Sequence, residues 1–125
     1  MNDSIDQDLR CWTQGGHALV HQHCTACGHR WYFQRDFCPQ CGHTEPERLA
    51  LSGLGEVHAS TLVHRAPSDE FRAIAPYRVL LVATDEGPRL MAHGAPDLQI
   101  GDRVRGSVRT IAGRLLPYFE KELAP

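Results

Sequence analysis

Several common signals of function are absent from this 125-residue sequence. No apolar run approaches the roughly 20 residues that a membrane-crossing helix needs. The first residues, Met1 to Ser4, lead into an acidic segment rather than into the basic and apolar start of a secretory signal. Neither a glycine-rich phosphate loop nor a nucleophile-elbow motif occurs. We therefore expect a cytoplasmic protein that makes no membrane contact and carries no familiar catalytic motif.

A basic excess is also absent. Residues 1–19 hold one Arg against three Asp, residues 20–50 hold three basic and three acidic side chains, and residues 51–125 hold nine of each. A dedicated nucleic-acid-binding protein usually has a clear basic excess in at least one domain, because it must neutralise phosphates. The charge distribution therefore disfavours nucleic acid as a partner, although a local basic stripe remains compatible with it.

The length suits one compact domain or two very small ones, and it leaves no room for a large catalytic core. We divide the chain into an N-terminal segment (1–19), a metal-binding segment (20–50) and a β domain (51–125). Residues 4–14 predict a short helix, with Ser4 as the N-cap and Gly15-Gly16 as the end. Its narrow apolar face needs a partner, either within this chain or on another protein.

The cysteine pattern is the strongest signal in the sequence. Two CxxC pairs, each followed by glycine, are separated by ten residues, and they consist of Cys24, Cys27, Cys38 and Cys41. Two intervening residues form a tight turn that brings both sulfurs to one cation, and glycine supplies the positive φ that the turn needs. The spacing predicts a structural zinc site. Since four thiolates leave no open coordination position, such an ion cannot activate water.

Two alternatives concern the metal itself. Histidines surround the cysteine pairs at positions 21, 23, 29 and 43, but the cysteine set is complete without them, so we interpret them as surface or supporting residues. Tetrahedral sulfur sites also bind iron, which would make the chain an electron carrier like a rubredoxin. Cys11 lies outside the pattern and is predicted to be a free thiol that takes no part in catalysis.

Aromatic residues are few, 7% of the chain, and they concentrate between the two cysteine pairs. A small metal domain needs such rings to cover its apolar side, so core packing is the first interpretation of this loop. An exposed ring would instead indicate a surface for binding protein or for stacking on bases. The candidates for a partner interface are Trp12, Trp31, Tyr32 and Phe33.

Residues from about Leu51 onwards predict five short strands separated by turn residues. The first four are 57–64, 77–84, 89–93 and 103–108, and a fifth follows the Gly113 turn at 115–119. This number of strands favours a small barrel, with the five-stranded OB-fold as the leading candidate. We therefore expect a mainly β protein with a short N-terminal helix, a zinc ribbon and an OB-fold barrel.

The fourth predicted strand carries three arginines on one face, Arg103, Arg105 and Arg109. They form either a stripe that binds an anionic ligand or a solvated outer face balanced by the acidic residues of the same segment. If the stripe is functional, we expect it to bind phosphate, either of a nucleotide-like cofactor or of nucleic acid.

In the order of its parts, the chain resembles a known family of small proteins in which a rubredoxin-like zinc ribbon precedes an acyl-CoA-associated OB-fold. The resemblance extends over nearly the whole length. It is carried by Trp12 and Gly16, Gln22, both CxxC pairs, and the segments 51–55, 61–67, 75–77, 85–89 and 100–104.

The resemblance implies a non-catalytic accessory subunit that assembles with a thiolase-superfamily enzyme, namely a thiolase, an acyl-CoA aldolase or an acyltransferase, and that the partner requires for activity. It also implies that acyl-CoA lies near the shared interface, with Arg65, Arg103 and Arg105 as candidate contacts to its phosphates. The competing hypothesis is a module that binds single-stranded nucleic acid, which is argued from the ribbon and barrel classes alone.

Overall fold

The structure is a computed structural model that describes residues 10–122. It contains a three-stranded sheet that carries the paired cysteines and a closed barrel of five strands. Within the described range, no helix is long and apolar enough to cross a membrane. The elements are a 3-10 turn (Trp12–Gln14), β1 (Val20–His23), β2 (Arg30–Trp31), β3 (Glu47–Ala50), β4 (Leu54–Val63), α1 (Asp69–Arg72), β5 (Tyr77–Thr84), β6 (Arg89–Gly94), β7 (Arg103–Ile111) and β8 (Arg114–Lys121).

Most of the predicted N-terminal helix lies outside the described residues. In the described part, residues 12–14 form one 3-10 turn instead of a continuous helix. Gly15 follows with a φ of 84°, a left-handed conformation that ends the turn, so the predicted stop is confirmed. The indole N–H of Trp12 donates to the hydroxyl of Tyr32, at 2.5 Å, and so joins this turn to the loop between the cysteine pairs.

The small sheet has the order β2-β1-β3, with both pairings antiparallel. β2 is only two residues long, so two backbone pairs, Gln22 with Trp31 and His23 with Arg30, hold it to β1. We call this sheet and the two cysteine turns, residues 20–50, the ribbon.

A buried glutamine fixes the loop that follows β2. Gln22 is 5% exposed, and its side-chain oxygen accepts hydrogen bonds from the indole N–H of Trp31 and the backbone N–H of Arg35, each at 2.7 Å. Its amide group donates to the carbonyl of Arg35 at 3.1 Å. One side chain therefore bonds to the Trp31 indole of β2 and to the backbone N–H and carbonyl of Arg35 in the loop. These bonds replace strand pairing that a two-residue β2 cannot supply.

The barrel has the cyclic order β4-β5-β6-β8-β7. All its pairings are antiparallel except β6 with β8, and a register shift in β4 between Val57 and Ala59 bends that strand. All five predicted strands are present, most of them longer than predicted, and the mainly β fold with a five-stranded barrel is confirmed. The predicted loop between β4 and β5 contains the short helix α1, capped by the Ser68 side chain.

The barrel core includes residues from both ends of the ribbon. Leu19 precedes β1 and Leu51 follows β3, and both are buried in one cluster with barrel residues such as Leu80 and Phe119. The backbone N–H of Leu51 also donates to the carbonyl of Leu19 at 2.8 Å. The ribbon is therefore anchored where its two ends meet. The division of the chain at 19/20 and 50/51 stays a prediction.

We expect Gln22→Leu to lower the free energy of unfolding by about 2 kcal/mol, because it leaves the Trp31 indole N–H buried without an acceptor. Chemical denaturation of the metal-loaded protein measures the change. Gln99→Leu is the matched control, since this glutamine is exposed and its side chain has no role in the ribbon. Equal stability of the Gln22 variant and the control would contradict the assigned role.

Candidate metal centre

The four paired cysteines meet at one point. Their sulfur atoms all lie within 4.8 Å of one another, with Cys24 and Cys41 sulfurs 3.6 Å apart and Cys27 and Cys38 sulfurs 3.7 Å apart. Zinc–sulfur bonds of about 2.3 Å in a tetrahedron place the sulfurs about 3.8 Å from each other. The spacing therefore fits one metal ion, and none of the four thiols is engaged in a disulfide.

The two cysteine turns have the same backbone geometry. The N–H groups of Cys24 and Cys38 donate to the carbonyls of His29 and His43, both at 2.8 Å. Gly28 and Gly42 donate back to the first cysteine of each pair at 2.9 Å and have φ of 81° and 83°. Glycine is needed here because a side chain strains this left-handed backbone. The reason inferred from the sequence for each Cys-x-x-Cys-Gly is confirmed.

Backbone hydrogen bonds lower the pKa of the buried thiols Cys24 and Cys38, whereas burial and the neighbouring thiols raise the pKa of Cys27 and Cys41. The N–H of Cys27 lies 3.4 Å from the Cys24 sulfur and lowers the pKa of Cys24 to about 7. Hydrogen bonds of this type favour the thiolate, which is the form that binds metal. Cys24 and Cys38 are buried whereas Cys27 and Cys41 are exposed, so one edge of the site faces solvent.

The neighbouring histidines make other contacts. The imidazole of His29 stacks on the indole of Trp31, with 5.6 Å between ring centroids, and His23 pairs with Glu47 at 2.5 Å. His21 accepts a hydrogen bond from Arg30. Among the residues that the structure describes, the group that could hold a metal consists of the four cysteines.

The four aromatic residues predicted to form a partner interface differ in how exposed they are. Trp31 is 8% exposed and forms the small ribbon core with Cys24 and Cys38. Trp12 and Tyr32 are partly buried against the barrel core and bonded to each other. Phe33 is 72% exposed. Of the four, Phe33 offers the largest exposed surface to a partner, while Trp31 is buried in the ribbon core.

The three arginines predicted to contact phosphate do not meet at one place. Arg65 follows the far end of β4, whereas the near end of that strand pairs with Arg103 and Arg105, so roughly 20 Å of strand separates them. Arg103 forms two hydrogen bonds with the carboxylate of Asp85, at 2.9 and 2.8 Å, and Arg109 pairs with Glu120. Arg105 lines a groove with Lys121 and two carboxylates.

A surface that the sequence analysis did not single out lies on the outside of the barrel. Leu80 and Val82 of β5 point into the core, so Val79 and Leu81 point outward, and their cross-strand neighbours on β6 are His93 and Met91. We call the outward side chains of β4 to β6 the apolar face, which consists of Ala59, Thr61, Val63, Val79, Leu81 and Met91. The continuous apolar run at 79–83 was the signal, since strands buried on both faces have this pattern.

Beside the apolar face, an aromatic groove runs towards the ribbon. Phe71 of α1, Tyr77 and His93 are in mutual ring contact, with centroids 5.0 to 5.6 Å apart. Trp12 and Met91 line the same groove. Burial lowers the pKa of His93, so the groove carries little positive charge near neutral pH. The two surfaces share Val79 and Met91 and are continuous.

Comparisons with known proteins agree with this architecture. Residues 49–109 match the family model of the C-terminal OB-fold domain of ChsH2. Among solved structures, the Ltp2-ChsH2(DUF35) aldolase contains a similar chain, with a TM-score of 0.75, 27% identity and 98% of both chains covered. A protein of unknown function from the DUF35 family of Sulfolobus solfataricus shares the fold, with a TM-score of 0.60 and 15% identity over 94% of this chain and 84% of that one.

Curated relatives give the closer sequence matches. A DUF35 domain-containing scaffold protein of Methanothermobacter thermautotrophicus is 35% identical over 98 residues, which are 74% of this chain and 73% of the relative. One of the same description from Methanocaldococcus jannaschii is 34% identical over 100 residues, covering 76% and 70%. A ribbon with four paired thiols, an OB-fold barrel and these matches over most of both chains lead to one conclusion: the chain belongs to the DUF35 domain-containing family.

Proposed function

We propose that this protein is a non-catalytic accessory subunit that assembles with a thiolase-superfamily enzyme, such as a thiolase, an acyl-CoA aldolase or an acyltransferase, and that the enzyme requires it for activity. Two relatives carry the description of scaffold protein, and the similar solved chain comes from an aldolase named for two components. Both facts support a role in an assembly. They leave the partner and its substrate to experiment.

The apolar face is the structural observation that supports this proposal most directly. An outer barrel surface normally carries polar side chains, yet here it has aliphatic residues on three adjacent strands, and Met91 is 67% exposed. Contiguous apolar surface of this kind marks a binding site on soluble proteins. In an assembly, the enzyme subunit would cover the face and gain roughly 25 cal/mol for each Å² of apolar area removed from water.

The substitution Met91→Asp tests whether the apolar face binds the enzyme subunit. A carboxylate at this exposed position leaves the barrel core intact but must lose its water when the face is covered, at a cost of several kcal/mol. We expect the variant to fold and to lose the complex. Co-expression with a thiolase-superfamily enzyme of the same organism, followed by native mass spectrometry, measures complex formation.

Ser107→Asp is the matched control for this prediction, because Ser107 is exposed on β7. The control is expected to retain the complex. A Met91 variant that assembles as well as the native chain would exclude the apolar face as the interface, and failure of the native chain to assemble with any such enzyme would contradict the proposed function.

We propose that the metal is zinc and that it is structural. The site supplies four sulfur ligands, which zinc prefers in structural sites, and bound zinc would have no coordination position left for water or substrate. Cys24, Cys27, Cys38 and Cys41 would hold the ion, and the ion would supply the folding free energy that a ribbon of this size lacks.

Metal analysis of the purified protein tests this proposal. We expect one zinc per chain and a colourless protein. Cys41→Ser should lose the metal and the ordered ribbon, whereas Cys11→Ser should retain both, since Cys11 lies outside the cluster. A red protein with stoichiometric iron would favour the electron-carrier alternative instead.

Acyl-CoA is the proposed ligand of the assembly, held near the interface. Arg105 is the strongest phosphate candidate of the three, because its groove also contains Lys121. Arg103 would exchange its present partner Asp85 for phosphate, and Arg65 would act separately at the other end of β4.

Removing both groove-side arginines tests the CoA proposal. Since a hydrogen bond to a charged group contributes about 1.5–3 kcal/mol, Arg103→Ala with Arg105→Ala should weaken CoA binding to the complex at least about tenfold. Arg114→Ala, which removes an exposed arginine at the start of β8 that does not line this groove, is the control. Isothermal titration calorimetry with the assembled complex measures the affinity, and an unchanged value in the double variant would rule out these contacts.

A further inference from the structure

His21 is a fully buried titratable side chain with no role in holding the metal. It lies in the central strand of the ribbon sheet, opposite Leu49 of β3, and is 1% exposed. Buried imidazoles are normally satisfied at both nitrogens. In the described part of the chain, Nδ1 of His21 has no hydrogen-bond partner. A buried group in this state calls for an explanation.

Arg30 fixes the protonation state of the ring. Its guanidinium Nη1 lies 2.6 Å from Nε2 of His21. Because a guanidinium only donates hydrogen bonds, Nε2 must accept and therefore carries no proton. His21 is thus a neutral imidazole with its single proton on Nδ1, and Arg30 can keep this contact only while the ring remains neutral.

The charges around the ring come from every element packed against it. Burial and the positive charge of Arg30 on β2 lower the pKa of His21 below its ordinary value of 6.5, and His23 on the same strand adds a smaller effect of the same sign. Glu86, in the β5–β6 turn of the barrel, and the backbone of Leu49 act in the opposite direction. The Leu49 backbone approaches the ring closely enough to favour the protonated form, but neither it nor Glu86 makes a well-formed hydrogen bond with Nδ1.

Glu86 connects this site to the barrel. One of its carboxylate oxygens accepts the backbone N–H of Ser52 at 3.1 Å, in the link between β3 and β4, and its other oxygen is buried without a partner in the described residues. The ring proton on Nδ1 is a buried unpaired donor on the ribbon side, and the Glu86 oxygen is a buried unpaired acceptor on the barrel side. The Glu86 carboxylate would attract the ring across the boundary between the two parts once His21 takes up a proton.

We propose that His21 and Arg30 form a proton-sensitive pair that holds β2 and the following loop, residues 32–37, in place while His21 is neutral and releases them when His21 takes up a proton. Protonation would put a hydrogen on Nε2 and set two positive charges 2.6 Å apart without an acceptor between them. β2 has only two residues to resist the resulting displacement of Arg30. The released loop carries Phe33, the exposed aromatic residue of the ribbon.

The direction of the pH effect follows from the lowered pKa. The folded form binds the proton less readily than the unfolded chain, so the ordered loop is fully stabilised above pH 6.5 and loses stability as the pH falls from 6.5 towards the lowered pKa of His21. At neutral pH the loop stays in place.

Nuclear magnetic resonance of the ¹⁵N-labelled, metal-loaded full chain tests the proposal between pH 8 and pH 5. The indole N–H of Trp31 and the amide of Arg35 report on the loop, since both donate to Gln22. We expect both signals to shift with one midpoint below pH 6.5, shared with the ring protons of His21. The metal content is measured at each pH, because thiolate ligands also take up protons in acid.

Three variants separate His21 from the metal site. His21→Gln still offers an oxygen to Arg30 but cannot take up a proton, so it should abolish the transition. Arg30→Gln removes the charge that protonated His21 would repel, so the loop signals should lose their transition while the His21 ring takes up its proton at higher pH. Glu86→Gln removes a negative charge and should move the midpoint of both the ring and the loop to lower pH. His58→Gln, an exposed histidine of β4, is the control and should change nothing.

Two results would overturn the proposal. One is a transition that persists in His21→Gln with the same midpoint, which would assign it to protonation of the cysteines or to another group. The other is a loop transition that survives in Arg30→Gln, or a ring midpoint of His21 that does not move in opposite directions in the Arg30 and Glu86 variants. If His21→Gln fails to fold, these two variants alone decide the question.

Discussion

Four thiols within 4.8 Å of one another are stable as thiolates only around a cation, because like charges at that separation repel strongly in a partly buried site. The ribbon depends on this constraint, since the hydrophobic cluster around its cysteines is small and consists of Cys24, Trp31 and Cys38. Two of these three residues are candidate metal ligands. A cluster of this size cannot fold a 31-residue segment by hydrophobic burial alone, so a bound ion and the small core would form together.

Packing contacts at both ends of the ribbon join it to the barrel. Leu19 and Leu51 enter the barrel core from the two ends of the ribbon, and the bond between Trp12 and Tyr32 adds a second connection on one side. Gln22 of β1 holds Trp31 and the loop at residues 32–37 in place through its side-chain hydrogen bonds. Loss of the metal therefore threatens more than the cysteine turns, because the residues that anchor the ribbon also fill part of the barrel.

The charged and apolar outer surfaces of the barrel differ in whether their side chains have partners within the chain. On β7, Arg103 and Arg109 find carboxylate partners within the chain, as expected for a solvated outer face. On β5 and β6, the outward side chains of the apolar face are aliphatic and cannot form ion pairs, and Met91 remains exposed. Since apolar area gains free energy only when water leaves it, the second surface, and not the first, is the one on which we base assembly with an enzyme.

Local patterns in the sequence determined the cysteine cluster, the glycine turns and all five barrel strands, because each depends on residue types at short, fixed spacings. They did not reveal that Trp31 is buried while Phe33 is exposed, or that Arg65 lies far from Arg103. Nor did they show that His21 meets Arg30 beside the barrel turn that carries Glu86. Only the tertiary structure decided these points, since the contacts join residues distant in sequence, and their burial depends on how the ribbon packs on the barrel.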